Sequence, residues 1–328
     1  MTRNFCTLFD KNYLFKGLAL HSSLVSHARD FHLWVLCMDN LTFDLLQKMD
    51  LKNVTLIAST EFENERLLEV KKIRTVAEYS WTCTANLCWH VLGKISEGDI
   101  ITYLDADMFF FDDPEIIFKE IGNASIAIVE HRLEGQRKIM EKFVGKYNVG
   151  WVSFKKDEDG LKSCQWWKDR VLEWCFARFE GGKIGDQHYL NDWQQRFNNV
   201  RVIKHEGADV APWNVANRKI FLKNAKIYIG AVPLVFYHFH NFVLISAGFY
   251  LPASAYYIPG AAKKYIYSRY FEQTRQVINM VAKVDPAFNY GYKKKYFKSL
   301  LASIILSFKA VDYFYIKYSK YKMEKLYA

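Results

Sequence analysis

The sequence has no uninterrupted apolar run approaching the roughly 20 residues of a membrane-spanning helix. Its first ten residues, Met1 to Asp10, turn polar too early for a secretory signal. Cysteine is scarce, six in 328 residues, and no two form a Cys-x-x-Cys pair. Cys83 and Cys88 stand five apart with no second pair to complete a zinc site. With Cys6, Cys37, Cys164 and Cys175 they lie in apolar segments and read as reduced, buried thiols. These absences argue against a secreted or membrane-spanning protein. A cytoplasmic one is expected, at most peripheral at the inner face of the cytoplasmic membrane. No internal repeat and no low-complexity linker is present either.

What is present is globular: 51% hydrophobic residues, 24% charged, and a dense 17% aromatic. The length suits one large domain with an appendage, or two domains. The net charge of +10 is not spread evenly. Residues 261–328 hold 14 Lys/Arg against four acids, so the first 260 residues are neutral. Within that tail Phe297, Leu300, Leu301, Ile304, Ile305, Phe308, Val311 and Tyr315 share a helical stripe flanked by Lys295, Lys298, Lys309 and Lys320. Such a stripe either lies on an anionic membrane surface or packs on the body of the protein. Pro252 and Pro259 mark a boundary, giving a catalytic domain over 1–250 and a basic amphipathic helical tail over 251–328.

The first two-thirds alternate short apolar runs with helical patterns, as a parallel sheet flanked by helices would. Strands are expected at Asn4–Phe9, Phe31–Cys37, Val54–Ala58, Ile100–Tyr103, Ser125–Glu130, Gly150–Phe154 and Leu234–Phe239. Helices are expected at Tyr13–His27, Leu41–Met49, Phe62–Val70 and Glu78–Ile95. A Trp-rich helix at Gln165–Phe179 reads as core. The strand at Ile100 runs straight into Asp105-Ala106-Asp107. Open α/β sheets place their ligand crevice at the carboxyl ends of such strands. On an extended segment alternate residues point the same way, so both carboxylates can approach one ion. Oxygen ligands of this kind suit Mn²⁺ or Mg²⁺, which also grip a diphosphate. Taken alone, the pair could equally cap a turn.

Four segments in order resemble GT-A fold glycosyltransferases, and most of all the retaining enzymes of glycosyltransferase family 8. Asp10-Lys-Asn-Tyr13 is similar to the family's DxNY turn, and Tyr103-Leu-Asp-Ala-Asp107 to its strand-borne DxD. Tyr147-Asn-Val-Gly150 is similar to FNxG, and Gly185-Asp-Gln-His-Tyr-Leu-Asn191 to DQDxLN. More loosely, Tyr237-His-Phe-His-Asn241 resembles HYxG. Trp81-Thr-Cys83 and Ala211-Pro-Trp-Asn214 also look like segments of bacterial proteins of this type.

The resemblance implies a Rossmann-like mixed sheet and transfer of a sugar from a nucleotide-diphosphate donor, UDP-sugar favoured, to a glycan or lipid-linked acceptor. A surface polysaccharide or lipopolysaccharide precursor would be such an acceptor. It also implies roles. Asp10, Asn12 and Tyr13, with Thr7 nearby, would hold the base, and Arg74 would pair with the donor. Asp105 and Asp107 would bind Mn²⁺ or Mg²⁺ with His238, or else His240, as third ligand. Asn148 would contact the donor sugar, Gln187 would sit by the anomeric carbon, and Asp186 would orient sugar hydroxyls.

Three positions depart from the pattern. The last carboxylate of DQD is His188, the glycine of HYxG is Asn241, and no Lys-Pro-Trp follows. Lys204, Lys219 or a tail lysine would then supply the diphosphate's counter-charge. Local readings stand beside these roles: Asp186-Gln187 also fits a helix cap, and Asn148-Val-Gly150 a plain turn. His238 and His240 alternate on a strand, and His131-Arg132 faces either an acceptor or solvent. Retention of configuration follows the resemblance; inversion would need a general base, for which Glu130 or Asp209 is available.

Two other classes remain in view. A sugar-nucleotide nucleotidyltransferase would carry a glycine-rich basic loop after the first strand, and Phe9-Asp-Lys-Asn-Tyr-Leu14 lacks one. A degenerate domain with a nucleic-acid- or membrane-binding tail suits the charge. No nucleic-acid module is recognisable, so no nucleic-acid partner is expected. An anionic membrane surface is expected to meet residues 293–325.

Overall fold

The computed structural model describes residues 2–253 and 256–293. Eight strands occupy the first 203 residues: β1 (Arg3–Phe9), β2 (Phe31–Cys37), β3 (Val54–Ala58), β4 (Ile100–Leu104), β5 (Met108–Phe110), β6 (Ile126–Glu130), β7 (Tyr147–Lys155) and β8 (Val200–Ile203). All but β5 join one sheet in the order β3-β2-β1-β4-β7-β6-β8. β1 pairs in parallel with β2 and β4, whereas β7 runs antiparallel to β4 and β6. The α/β class and the flanking helices are those expected from the sequence; the mixed sheet is the one the resemblance implied, and β7 corrects the parallel sheet read from the alternation.

Strands buried on both faces are apolar throughout, with alternate residues entering opposite layers. In β1, Phe5 and Phe9 enter one core layer while Cys6 and Leu8 enter the other. The helix Leu14–His27 covers the first layer with Leu14, Leu18 and Leu24. The second layer is covered by the helices Val76–Leu92 and Glu158–Glu173, the latter through Trp167. Thr75 and Glu78 start the former with a capping box, each side chain bonding the other's backbone N–H. All six cysteines are buried and free, as their apolar surroundings predict.

Beyond residue 203 the chain adds β9 (Ile220–Lys223), β10 (Lys226–Ile229) and β11 (Val232–Pro233) as a small antiparallel sheet. β12 (Phe236–His238) leaves both sheets to pair with β5, and β13 (Val243–Ser246) pairs with β14 (Phe249–Leu251). The strand expected over Leu234–Phe239 is therefore shorter and joins β5.

A helical segment from Gly260 ends in the helix Ser268–Val284, which lies on the helix Leu14–His27. Its Tyr267, Tyr270, Val277 and Val281 are buried in the same layer as Phe5. The Tyr270 ring stacks on Phe239 at 3.7 Å. The boundary expected at residue 250 thus falls within one continuous core layer. The stripe from Phe297 to Tyr315 lies outside the described residues. Among the described residues no helix is long and apolar enough to cross a membrane.

Candidate active site

The acid pair leaves the sheet at the end of β4. It does not lie on extended chain as expected. Met108 N–H donates to the Asp105 carbonyl at 3.1 Å, so Asp105 and Asp107 converge through a tight turn. β5 follows at once and pairs with β12, setting His238 opposite Met108. That pairing brings His238 Nε2 to 3.1 Å from Asp107 Oδ1 and 3.6 Å from Asp105 Oδ2. One ligand atom from each of the three lies within 4.8 Å of the others. Among the described residues no other such acid, histidine or cysteine cluster forms. His240 stands apart from it, with its ring edge on Trp213. Two carboxylates and one imidazole are a donor set that fits Mn²⁺ or Mg²⁺.

The electrostatics of the cluster are uneven. Burial opposes the charge of Asp107, yet Lys16 and then His238 outweigh it and hold that carboxyl well below the usual range. Burial pushes Asp105 up to about 6; the nearby His238 limits the rise and the Asp107 charge adds to it. Burial would lower His238, but the Asp107 carboxylate raises it well above the usual histidine value. Lys16 was not singled out from the sequence. Its Nζ lies 3.4 Å from Asp107 Oδ2 and 4.1 Å above the Tyr13 ring. The available signal was helical spacing, since Lys16 stands three residues after Tyr13.

A cleft of about 830 Å³ opens over the cluster. It is lined by Asp10, Asn12 and Tyr13, and by Asn148, Asp186 and Gln187. Asp10 shapes its own turn, accepting from the backbone N–H groups of Asn12 and Tyr13 and from the Asn12 amide. Asn148 and Gly150 lie on β7 rather than in a plain turn. The Gly150 carbonyl accepts from Asp105 N–H. Asp186 makes no side-chain cap bond to the helix that follows it. Burial, with the Asp105 charge adding, pushes its carboxyl up to about 8. The Gln187 amide NH₂ donates to the Val144 carbonyl.

His131, Trp213, His240 and Tyr256 also line the cleft. His131 therefore faces the cleft, while Arg132 turns its guanidinium onto the carbonyls of His205 and Ala208.

Several expected residues are not brought to the cleft. Thr7 is fully buried in β1 and does not line it. Arg74 is buried and donates to Thr82 and to the Leu172 carbonyl, away from the lining residues. His188 bonds the Gly182 carbonyl. Lys204 pairs with Glu130 on the exterior, and the Lys219 ammonium sits over Phe221. Of the two acids considered as general bases, Glu130 is paired with Lys146 and Lys204, and Asp209 is fully buried behind His238. Neither lines the cleft.

No family model matches the chain. Two Bacillus subtilis (strain 168) proteins, both uncharacterized, are similar along nearly their whole length. YfnD is 32% identical over 298 residues, 90% of this chain and 96% of its own. YfnF is 32% identical over 302 residues, 90% of this chain and 99% of its own. Among solved structures, the chain is similar to the galactosyltransferase LgtC in complex with donor and acceptor sugar analogs. That likeness has a TM-score of 0.47 and 13% identity, over 83% of this chain and 95% of LgtC. Mouse xyloside xylosyltransferase 1 gives a TM-score of 0.46 and 13% identity, over 73% of this chain and 97% of that one. Both scores are below 0.5, and the chemistry of the site rests on its own geometry.

Proposed function

The chain belongs to the family of the Bacillus subtilis proteins YfnD and YfnF, and we propose that it is a metal-dependent glycosyltransferase of GT-A type. It would move a sugar from a nucleoside-diphosphate donor, UDP-sugar favoured, to a glycan or lipid-linked acceptor. The observation that carries this reading is the Asp105–Asp107–His238 cluster at the mouth of a sheet-edge cleft large enough for a nucleotide sugar.

Asp105, Asp107 and His238 would hold Mn²⁺ or Mg²⁺. When bound, the ion supplies Lewis-acid stabilisation of the negative charge that builds on the departing diphosphate. The turn Asp10–Tyr13 presents an aromatic ring and backbone groups for the base. Lys16, its ammonium between the Tyr13 ring and Asp107, would meet the diphosphate, in the role for which the sequence offered Lys204, Lys219 or a tail lysine; it does not itself line the cleft. Asn148 and Asp186 face the sugar from the cleft wall. Gln187 has its NH₂ committed to Val144, so its carbonyl oxygen is the dipole it can offer to positive charge at the anomeric carbon. The wall of Trp213, His240 and Tyr256 beyond the cluster suits the apolar faces of an acceptor sugar.

Retention is the favoured outcome, because neither candidate general base lines the cleft. The acceptor hydroxyl would then attack on the face from which the diphosphate leaves. Its proton passes to a leaving phosphate oxygen as the new glycosidic bond forms. Proton NMR of the first-formed product checks this, and an inverted linkage overturns it.

Calorimetric titration of UDP and UDP-sugars with Mn²⁺, repeated on Asp107→Ala, tests the function itself. Tight binding is expected only with the ion and only in the unaltered chain. Equal, metal-independent binding in the variant would overturn the reading.

A further inference from the structure

We infer that Asp209 is a positioning residue that orients His238 toward the carboxylate pair, in a chain of groups running Asp209–His238–Asp105/Asp107. The inference rests on the metal reading above and adds the residue that makes the imidazole a ligand. Asp209 is fully buried, and neither of its carboxylate oxygens accepts a hydrogen bond from a described residue. Burying a carboxylate without a donor is unfavourable, so such a group calls for a partner. The unpartnered donor it faces is His238 Nδ1, 3.7 Å from Asp209 Oδ1. A small rotation of the ring closes that distance to a hydrogen bond.

The two ends of the imidazole then have distinct tasks. With an ion bound the ring is neutral: Nδ1–H points at Asp209 and the Nε2 lone pair faces Asp105 and Asp107. Without one, a proton on Nε2 meets the Asp107 carboxylate 3.1 Å away, so a cation, proton or metal, stands among the three in either state. The arrangement is therefore complementary to a divalent ion, and Asp209 selects the tautomer that can bind one. Histidine ligands in metal sites commonly donate their second ring N–H to a carboxylate in this way.

The backbone around Asp209 is built to hold it there. Asp209 has φ of +47°, a left-handed conformation that is strained for a non-glycine residue. Asn214 fixes the strained segment: its NH₂ donates to the carbonyls of Asp209 and His131, each at 3.0 Å. Its Oδ1 accepts from Ala211 N–H at 3.0 Å. Trp213, from the same loop, sets its ring edge-on to His238 at 5.1 Å. The Val210 carbonyl accepts from His238 N–H at 2.8 Å. One loop thus grips His238 through its backbone, its ring face and its Nδ1, which accounts for the segment Ala211-Pro-Trp-Asn214. Arg132 is the competing partner for the Asp209 charge: its two terminal NH groups are committed to the carbonyls of His205 and Ala208, while its buried Nε–H has no acceptor.

The test measures Mn²⁺ affinity of the full chain without nucleotide, by calorimetry and electron paramagnetic resonance, for the unaltered protein, Asp209→Asn, His238→Ala and the double variant. Asp209→Asn is expected to weaken Mn²⁺ about 10- to 100-fold. On the His238→Ala background the same change is expected to add less than about twofold. Unchanged affinity in Asp209→Asn, or an equal loss with and without His238, overturns the role. A change confined to the melting temperature assigns Asp209 to Arg132 instead, which also overturns it.

A ¹⁵N-histidine NMR spectrum of the unaltered chain loaded with Mg²⁺ serves if the variant fails to fold. An Nδ1–H tautomer with an exchange-protected proton at His238 is expected, and an Nε2–H tautomer overturns the inference. Failure of the unaltered chain to bind either ion would remove the metal reading as well, whereas the outcomes above remove Asp209 alone.

Discussion

Replacing Lys16 by methionine should move two affinities in opposite directions. The Lys16 ammonium lies 3.4 Å from Asp107 Oδ2, with side-chain exposures of 12% and 9%. At an effective dielectric constant of about 20 the gross attraction across that distance is about 5 kcal/mol. Desolvation of both groups takes back much of it. Burial lowers the proton affinity of Lys16, but the Asp107 carboxylate outweighs it and leaves the amine above its ordinary value, charged at neutral pH. With a divalent ion alone, that charge competes for the same carboxylate oxygen. If about 1.5 kcal/mol of the attraction survives as net competition, Lys16→Met tightens Mn²⁺ roughly tenfold. With nucleoside diphosphate present, the ammonium becomes a charge-assisted donor worth about 1.5–3 kcal/mol. The variant should therefore bind UDP, at saturating Mn²⁺, about 10- to 100-fold more weakly. Methionine keeps an unbranched apolar stem of similar length without the charge. Calorimetry of Mn²⁺ alone and then of UDP gives both numbers, and a melting curve controls for the fold. If the two affinities shift in the same direction, Lys16 is not the cation that couples ion to nucleotide.

Gly150→Ala is expected to weaken Mn²⁺ by tenfold or more, because a Cβ there would lie 2.9 Å from His238 Nδ1 and 3.0 Å from Asn148 Oδ1. A Mn²⁺ titration beside a circular dichroism spectrum checks that the site, not the fold, is lost. His131 is buried, and burial holds its pKa down to about 4. Below pH 6.5 the unfolded chain takes up a proton that the folded chain refuses, so stability falls as pH drops from about 6.5 to 4. The full loss is on the order of 3 kcal/mol. His131→Gln should lessen the slope of denaturant-measured stability across that window, where His240, also held down to about 4 by burial, keeps part of it; an unchanged slope would refute it.

The acid pair was legible because two carboxylates directly after a buried apolar strand are chemically conspicuous. Asp10 and Tyr13 were legible through the resemblance of Asp10-Lys-Asn-Tyr13 to the family's DxNY turn after the first strand. Alternation along a strand showed that His238 and His240 differ, but not which one faces the acids. The β5–β12 register settles that by placing His238 opposite Met108. Thr7 and Arg74 match their segments in residue type, yet burial takes their side chains elsewhere. The same holds for the lysines expected at the diphosphate, since Lys204 and Lys219 sit on other surfaces. Asp209 had no periodic signal at all, because it lies in a loop.

By itself the sequence determined the layered sheet, the two helical coverings and the carboxylates at a strand's end, since each follows from spacing within one short segment. Only the tertiary structure decided which histidine completes the cluster, which lysine answers its charge and which buried acid stands behind the ring. Those are contacts between distant parts of the chain, 91 residues apart for Lys16 and Asp107. Local patterns of hydrophobicity carry no record of which remote side chains the folded core will bring face to face.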